Sequence, residues 1–401
     1  MSARVLITGI GSVSSIGLSI QELTDSILQS KTGVSHSTQL DSILARTLPT
    51  AQIQLSDQEL KKKLPDLLTK QVYSRTALLA MLAAHEAASM AKLTPQDLIP
   101  AGLVHSTSAG GMDKGEIFYA DYLASADKGN LKLAFTHDCG DSAEQIAALL
   151  NIQHYITTIS TACSSAANAM IHAARLIKSG MCDIVIAGGA DAICKFTVNG
   201  FNSLMILSDE PCQPFDKNRK GLNLGEAAGY FVLESEASVN RRGVKPLAVL
   251  SGYGNACDAY HQTASSPNGE GAYLAMMQAI KVSGHAPEEI DYINAHGTGT
   301  QNNDLSESVA IKRIFSALPP ISSTKAMTGH TLAAAGGIEA VMSVLAIQNG
   351  WIFPNKNFRE PIEETGIVPV TELQTNKKIK HILSNSFGFG GNNSSLVISA
   401  C

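Results

Sequence analysis

The chain has 401 residues, of which 44% are hydrophobic and 16% are charged, and its formal net charge is −5. This length is long for one hydrophobic core, so we expect two domains or one duplicated unit. The negative net charge gives no reason to expect a nucleic acid as a partner.

The amino-terminal part of the sequence alternates strand and helix patterns, as an α/β protein does. Its first strand, residues 5–10, runs into glycines and is followed by no cleavage site, so we do not interpret it as a signal peptide. No apolar run reaches the ~18–20 residues of a membrane helix. The other elements predicted here are helices over 19–30 and 75–90 and strands over 103–107, 155–159, 183–189 and 230–234.

Cys163 follows the predicted strand 155–159 and opens a segment of small residues with a helical pattern. A helix N-terminus favours a thiolate, so we expect the pKa of this thiol to lie below its free value of about 8.5. Small neighbours would let a bulky thioester reach the sulfur. A lone cysteine in a helical pattern is more often structural, so the nucleophilic interpretation depends on the histidines described below.

The polar, charged segment 240–245 is the predicted boundary between residues 1–239 and residues 246–401. A second series of strands is predicted after it, over 247–253, 290–295, 382–385 and 396–399. Sequence identity between the two halves is too low to show a repeat.

Two histidines in the second half lie beside glycines after short apolar strands: His296 precedes Gly297, and His330 follows Gly329. With a cysteine at a strand–turn–helix, this pair is typical of acyl-transfer enzymes. The histidines have no metal-ligand partners at regular spacing, and the first glycines do not fit G-x-G-x-x-G. We therefore predict no metal and no cofactor.

Seven cysteines without a Cys-x-x-Cys pair argue against a disulfide framework and against a structural zinc. They favour a reducing compartment, so we predict a cytoplasmic location.

The chain resembles the elongating, Cys-His-His type of β-ketoacyl-acyl carrier protein synthase, a member of the thiolase superfamily. The resemblance covers nearly the whole sequence and is carried by motifs at 4–11, 160–169, 213–216, 225–226, 292–300, 323–332 and 385–393. It implies an α/β fold in which two similar halves form a five-layered α-β-α-β-α sandwich. It also implies a decarboxylative Claisen condensation in fatty acid or polyketide (aryl-polyene-like) biosynthesis, which needs no cofactor.

By this resemblance, Cys163 carries the acyl group, and the backbone N–H groups of Cys163 and Phe389 stabilise the oxyanion. His296 and His330 would donate to the malonyl-derived enolate, with Lys325 beside them. The supporting acidic residues would be Glu339, Asp304 and Glu307. The substrate-binding residues would be Thr298, Thr300, His261, Thr263, Ala109 and Phe389.

Three positions depart from the family pattern. Asn392 stands where threonine is usual, Ala227 replaces a glycine, and Ala109 lies where many fatty-acid members have a larger aliphatic residue at the acyl pocket. These departures leave the pathway open between fatty acid and polyketide synthesis, while the catalytic set is intact.

The resemblance implies acyl carrier protein, loaded with acyl or malonyl groups, as the partner. Because carrier proteins are acidic, a basic surface should receive them, and the best local candidate is the run of Lys61, Lys62 and Lys63 with Lys70. It also implies a homodimer, or a heterodimer with a homologous subunit.

The main alternative is a non-catalytic, chain-length-factor-like partner of a ketosynthase, against which the presence of Cys163 and both histidines argues. A degradative thiolase would need a second reactive cysteine near the carboxyl-terminal glycine loop. An initiating synthase would carry asparagine in place of His330.

Overall fold

The computed structural model describes residues 4–36, 39–65 and 72–401 of the chain. Its strands are β1 (Val5–Ser14), β2 (Ser35–His36), β3 (Pro49–Thr50), β4 (Gly102–Ser106), β5 (Tyr155–Ile159), β6 (Ile184–Asp191), β7 (Ala227–Ser235), β8 (Ala248–Cys257), β9 (Tyr292–Asn294), β10 (Ile321–Ser322), β11 (His381–Phe387) and β12 (Asn392–Ser399).

The α-helices are α1 (Ile20–Leu28), α2 (Ile43–Thr47), α3 (Asp57–Lys61), α4 (Arg75–Met90), α5 (Pro95–Leu98), α6 (Met112–Ala124), α7 (Leu131–Ala134), α8 (Cys139–Leu150), α9 (Ser165–Lys178), α10 (Lys195–Ser203), α11 (Glu236–Arg242), α12 (Glu270–Ser283), α13 (Gln301–Ile314), α14 (Lys325–Thr328) and α15 (Ala335–Asn349).

Ten strands form one hydrogen-bonded sheet in the order β10-β9-β11-β12-β8-β1-β7-β6-β4-β5. The sheet consists of two sets of five strands with the same pairing pattern. Going outward from the centre, each set has two antiparallel pairs followed by two parallel pairs, in the orders β1-β7-β6-β4-β5 and β8-β12-β11-β9-β10. The two sets are hydrogen-bonded to each other between β1 and β8, where Leu6 pairs with Val249 and Ile7 with Ala248. The order of connection along the chain is also the same in both.

Helices cover both faces of these two half-sheets. The helices α4 and α8 pack outside the first half-sheet, and α12 and α13 pack outside the second. The helices α9 and α15 contact strands of both halves and lie between them. The order is therefore helix, sheet, helix, sheet, helix.

The central helix α15 is apolar on nearly all sides, as expected for a helix surrounded by protein. All residues from Ala335 to Ala346 are buried. Within the described residues, the helical stretch Leu332–Asn349 is long and apolar enough to cross a membrane, but 83% of it is buried inside the fold. This burial is that of a core helix.

Several predicted elements have the observed bounds, notably the helix over 75–90 and the strand over 155–159. Other strands are longer than predicted, because β7 and β12 extend through small and polar residues that pair within the sheet. The predicted break at 240–245 begins inside α11, which ends at Gly243 with a left-handed φ of 63°. Glycine adopts this conformation without strain and closes the helix.

Four strand ends bring the predicted reactive groups together. The parallel strands β9, β10 and β11 end side by side. The chain continues from β9 to His296, from β10 to Lys325 and His330, and from β11 to Phe389. From the other half, β5 leads to Cys163 and α9. Loops at the carboxyl ends of parallel strands are where open α/β sheets place their ligands.

Candidate active site

The nucleophile turn between β5 and α9 has a strained backbone. Ala162 has a φ of 51°, which is uncommon for a residue with a side chain. Gly388 packs against this turn so closely that a Cβ there would lie 2.8 Å from the Thr161 carbonyl oxygen. The backbone N–H groups of Cys163 and Phe389 lie close enough to the Cys163 sulfur to lower the pKa of its thiol. Two N–H groups therefore lie beside the atom that would carry the acyl group.

The Cys163 thiol is buried, and this burial raises its pKa to about 12. The Lys325 ammonium and the two N–H donors oppose this effect without overcoming it. The expectation of a lowered pKa is therefore wrong for the resting site, since desolvation outweighs the partial charge of the helix terminus.

His296 lies in a loop held by two acidic residues of α13. Glu307 accepts the N–H groups of His296 (2.9 Å) and Gly297 (2.8 Å). Asp304 accepts the N–H of Thr298 (2.9 Å), and its other oxygen accepts that of Phe215 (2.7 Å). Burial raises the pKa of Glu307 to about 7 and also raises the pKa of Asp304.

Lys325 and Glu339 form a buried ion pair beside His296, with each side chain 1% exposed. The Lys325 ammonium donates to Glu339 and to the His296 carbonyl oxygen (2.6 Å), and it lies 3.3 Å from His296 Nδ1. Burial raises the pKa of Glu339 to about 7 despite the opposing lysine charge. The lysine thus contacts His296, although it precedes His330 by only five residues.

The two imidazole rings are perpendicular, with their centroids 5.4 Å apart. His330 Nδ1 accepts the N–H of Leu332 (3.1 Å), and His296 Nδ1 faces the ammonium of Lys325. A neutral imidazole whose Nδ1 accepts carries its proton on Nε2. Both histidines are therefore Nε2–H donors.

Both imidazoles are neutral at pH 7. Burial lowers the pKa of His330 to about 3, and the Lys325 charge adds to this effect. Burial, Lys325 and His330 together lower the pKa of His296 well below its ordinary value.

One cavity of about 220 Å³ contains the reactive groups. Cys163, His296 and His330 line it. Of the predicted substrate-binding residues, Thr263, Thr298, Thr300 and Phe389 also line it.

Ala109 and His261 are not among the residues that line this cavity. His261 Nδ1 accepts the N–H groups of Thr263 and Ala264, so this side chain braces a wall loop. The N–H of Ala109 donates to the Asp191 carboxylate (2.9 Å).

The predicted docking lysines are outside the cavity lining as well. Lys62 and Lys63 are exposed after α3, whereas Lys61 is half-buried and its ammonium lies 5.2 Å from the Tyr73 ring centroid. Lys70 lies outside the described residues. The lysine that does line the cavity is Lys220, which pairs with Glu210 (3.0 Å).

Sequence reasoning missed Asp191, a buried carboxylate at the end of β6. It accepts N–H groups from Ser108 and Ala109 on one side and from Ala333, three residues after His330, on the other (2.8 Å). Burial raises its pKa. An aspartate directly after a buried, glycine-containing strand was the available signal.

Sequence reasoning also missed the role of Asn392, although it noted this residue as a departure. Its side-chain oxygen accepts from Ser164 (2.9 Å), Asn168 (2.9 Å) and Asn255 (2.8 Å). Its carbonyl oxygen accepts the N–H of Gly388 (2.9 Å). Asn392 thus joins the helix after Cys163 to the loop that carries Phe389.

The neutral state of His330 makes stability depend on pH. Between its ordinary pKa of 6.5 and its folded pKa of about 3, the unfolded chain binds a proton that the folded chain does not, so stability falls as the pH falls through this window. In His330→Gln, this decline should become shallower by up to ~1.4 kcal/mol per pH unit. Urea unfolding at pH 7, 6 and 5 measures the slope. His154→Gln, which removes an exposed histidine, is the matched control, and an equal slope in all three proteins would contradict the assignment.

Family models match nearly all of the first half of the chain and most of the second. Residues 2–238 match "Beta-ketoacyl synthase, N-terminal domain", and residues 247–359 match "Beta-ketoacyl synthase, C-terminal domain".

Two curated relatives illustrate the similarity. The chain is 34% identical to "3-oxoacyl-[acyl-carrier-protein] synthase 2" of Coxiella burnetii (strain RSA 493 / Nine Mile phase I), over 99% of this chain and 98% of the relative. It is 33% identical to "Nodulation protein E" of Rhizobium meliloti, over 99% of each chain.

Solved structures agree over the whole chain. "The ishigamide ketosynthase/chain length factor" superposes with a TM-score of 0.93 at 32% identity, covering 100% of both chains. "Ketosynthase (ApeO) in Complex with its Chain Length Factor (ApeC) from Xenorhabdus doucetiae" gives 0.86 at 29% identity, covering 100% of this chain and 98% of that one. The chain therefore belongs to the beta-ketoacyl synthase family and has its thiolase-like α/β fold.

Proposed function

We propose that the chain is a 3-oxoacyl-[acyl-carrier-protein] synthase, which condenses malonyl-carrier with an acyl group on Cys163 and extends that group by two carbons. The observation that carries the proposal is that Cys163, Phe389 and two neutral imidazoles, His296 and His330, line one cavity. The relative named 3-oxoacyl-[acyl-carrier-protein] synthase 2 supports this reaction.

The first step is acyl transfer. The sulfur of Cys163 attacks the thioester carbonyl of the acyl-carrier, and the oxyanion of the tetrahedral intermediate accepts hydrogen bonds from the N–H groups of Cys163 and Phe389. The intermediate expels the carrier thiolate, which takes up one proton as the thiol of Cys163 gives one up. Acyl transfer therefore consumes no net proton, although the buried thiol must lose its proton during the step.

The second step is decarboxylation and condensation. Malonyl-carrier loses carbon dioxide, and its thioester becomes an enolate whose oxygen accepts hydrogen bonds from the Nε2–H groups of His296 and His330. The enolate carbon attacks the acyl thioester on Cys163 and expels the cysteine thiolate, which regains one proton from solvent. Each preorganised donor is worth about 10²–10³ in rate, and holding both carbons in one cavity replaces a bimolecular encounter.

The remaining site residues position these groups. Lys325, held by Glu339, keeps Nδ1 of His296 in the acceptor state, so that Nε2 carries the proton. Asp304 and Glu307 brace the loop of His296 and the threonines Thr298 and Thr300. Thr263, Thr298 and Thr300 would contact the pantetheine arm.

We also propose a dimer, formed with a second copy or with a homologous subunit. The strand β5 lies at the edge of the sheet, and unpaired strand edges favour pairing with another chain. Large apolar side chains are exposed on α6 and after α7, among them Leu123 (67%) and Phe135 (75%). The two similar structures that name a ketosynthase and a chain length factor support a homologous partner.

Carrier protein, domain division and location complete the proposal. The acidic carrier would use the cavity mouth at Lys220 and the exposed Lys62 and Lys63, and one related structure is described as a ketosynthase with its acyl-carrier protein.

The two halves would be residues 1–239 and 246–401, supported by the repeated strand order. All seven cysteines are free thiols, which favours the cytoplasm.

Asn392 would set the geometry between the two oxyanion donors. Asn392→Ala removes an oxygen shared by three side-chain donors, each of which keeps another acceptor, so it should cost about 0.5–1.5 kcal/mol of stability and lower kcat more than it raises KM. Asn392→Thr keeps an acceptor oxygen and should retain most of kcat. Steady-state kinetics and urea unfolding of both variants test this role, and an alanine variant with unchanged kcat would exclude it.

Release of carbon dioxide together with 3-oxoacyl-carrier formation tests the proposed function. The purified chain, given acyl-carrier and malonyl-carrier, should form both products in equal amounts. If product forms only after a homologous subunit is added, the enzyme is a heterodimer. If Cys163 can be replaced in that mixture without loss, the chain is the non-catalytic partner.

A further inference from the structure

Two histidines and a glutamate meet at the surface, outside the active-site cavity. His285 follows α12, Glu289 ends a 3₁₀ turn (Pro287–Glu289), and His381 is the first residue of β11. Their ligand atoms, one from each residue, all lie within 4.8 Å of one another. None of the three lines the active-site cavity, and the condensation does not use them.

The three side chains face one another at short range. The imidazole centroids of His285 and His381 are 3.7 Å apart, and His285 Nδ1 is 3.8 Å from Glu289 Oε1. The other oxygen of Glu289 accepts the N–H of Ala286 (2.8 Å), which directs Oε1 toward His285. Such a group offers two nitrogen ligands and one oxygen ligand from three points of the chain.

Outer hydrogen bonds hold His381 in place. Its Nδ1 lies 2.9 Å from Ser399 Oγ, which leaves Nε2 available for a ligand. Asp291 accepts the backbone N–H groups of Lys380 (2.7 Å) and His381 (3.0 Å). Histidines that bind metals commonly have their second nitrogen hydrogen-bonded in this way, because that bond fixes the tautomer and the ring orientation.

The surroundings admit solvent through two cavities, and the one that both histidines line also contains Arg4 and Lys178. A shallow cavity of about 250 Å³ beside the cluster is lined by Glu289, Asp291, Lys378, Lys380 and His381. Its two carboxylates offset its two lysines. His285 and His381 are half-buried and Glu289 is exposed, so an ion can enter from solvent.

Although the sequence predicted no metal, we propose that His285, Glu289 and His381 bind a divalent transition-metal ion, with Zn²⁺ as the best match. Two imidazoles and a carboxylate are a common zinc ligand set, in which water takes the fourth position. A tetrahedral ion with bonds of about 2.0–2.1 Å needs its ligand atoms roughly 3.4 Å apart, so the three side chains, whose ligand atoms lie within 4.8 Å of one another, would draw together around it. Mg²⁺ and Ca²⁺ prefer oxygen ligands and should not compete.

The bound ion would tie the turn before β9 to the first residue of β11. Its effect would be on stability, because the reactive groups lie beyond the opposite ends of these strands. The site is independent of the proposed condensation, and either can fail without the other.

Zinc titration of the metal-free protein tests the site. After dialysis against EDTA, calorimetric titration with ZnCl₂ should show a site whose occupancy raises Tm, and MgCl₂ should have no effect. Exposed thiols such as Cys257 and Cys401 can also bind zinc, so the variants decide the assignment. His381→Gln and Glu289→Gln should each weaken this binding by at least about tenfold and remove the rise in Tm.

The matched control is His154→Gln, which removes an exposed histidine elsewhere and should bind zinc as the wild-type protein does. Glu289→Gln alters only an exposed side chain, so its folding is not at risk. All variants should keep the condensation rate of the metal-free protein. Zinc binding that is absent, or equal in His381→Gln and His154→Gln, would overturn the proposal.

Discussion

Replacing Cys163 by alanine should lower the rate of condensation by about 10⁴-fold or more, as loss of the nucleophile does in other enzymes that form acyl intermediates. The methyl group cannot carry the acyl chain, although both N–H donors and both imidazoles remain. Release of ¹⁴CO₂ from carboxyl-labelled malonyl-carrier should therefore continue at a measurable rate while 3-oxoacyl-carrier formation stops. Parallel assays of the two products measure the separation.

The control for this variant removes a cysteine outside the site. Cys257→Ala should keep both activities, because this thiol is exposed and only its weak contact with the Gly390 carbonyl is lost. Loss of decarboxylation together with condensation in Cys163→Ala would mean that the substitution disturbs the imidazoles. A Cys163→Ala variant that still condenses would exclude Cys163 as the nucleophile.

Replacing Lys325 by methionine should destabilise the fold by about 3–5 kcal/mol, because it leaves the Glu339 carboxylate buried without its partner. The loss should be larger at pH 8 than at pH 6. Without the ammonium, the folded pKa of Glu339 rises further above its ordinary value, so the folded state binds a proton that the unfolded chain does not, and stability is lost as the pH rises. Urea unfolding at the two pH values measures both effects.

The double variant Lys325→Met/Glu339→Gln is the matched comparison. It contains no buried charge at this position and should regain most of the stability that the single variant loses. It should not regain activity, because the Nδ1 of His296 still lacks the lysine. Equal stability losses in the single and double variants would show that the ion pair is not the source of the effect.

The parts of the site that the sequence predicted are those encoded in short local motifs. Cys163 after a β-branched strand, and histidines beside glycines after apolar strands, are visible within ten residues each. The repeated strand order was expected only through the family resemblance. Local identity between the halves is too low to reveal it.

The parts that the sequence did not predict depend on contacts between distant segments. Asn392 bonds Ser164 across 228 positions, and Asp191 bonds Ala333 across 142 positions, so neither network is visible in a local pattern. The prediction of a lowered pKa for the Cys163 thiol was wrong for a related reason. The helix terminus is a local feature, whereas the desolvation that outweighs it comes from walls contributed by both halves of the chain.

Intact mass after incubation with acyl-carrier thioesters decides whether Cys163 accepts an acyl group. The panel should run from short saturated to long polyunsaturated acyl groups. We expect a mass gain of one acyl group in the wild-type protein, none in Cys163→Ala, and loss of the adduct when malonyl-carrier is added. The best-loaded acyl group would also indicate the pathway. A folded protein that gains no mass from any donor, or a Cys163→Ala variant that gains the same mass, would contradict the account.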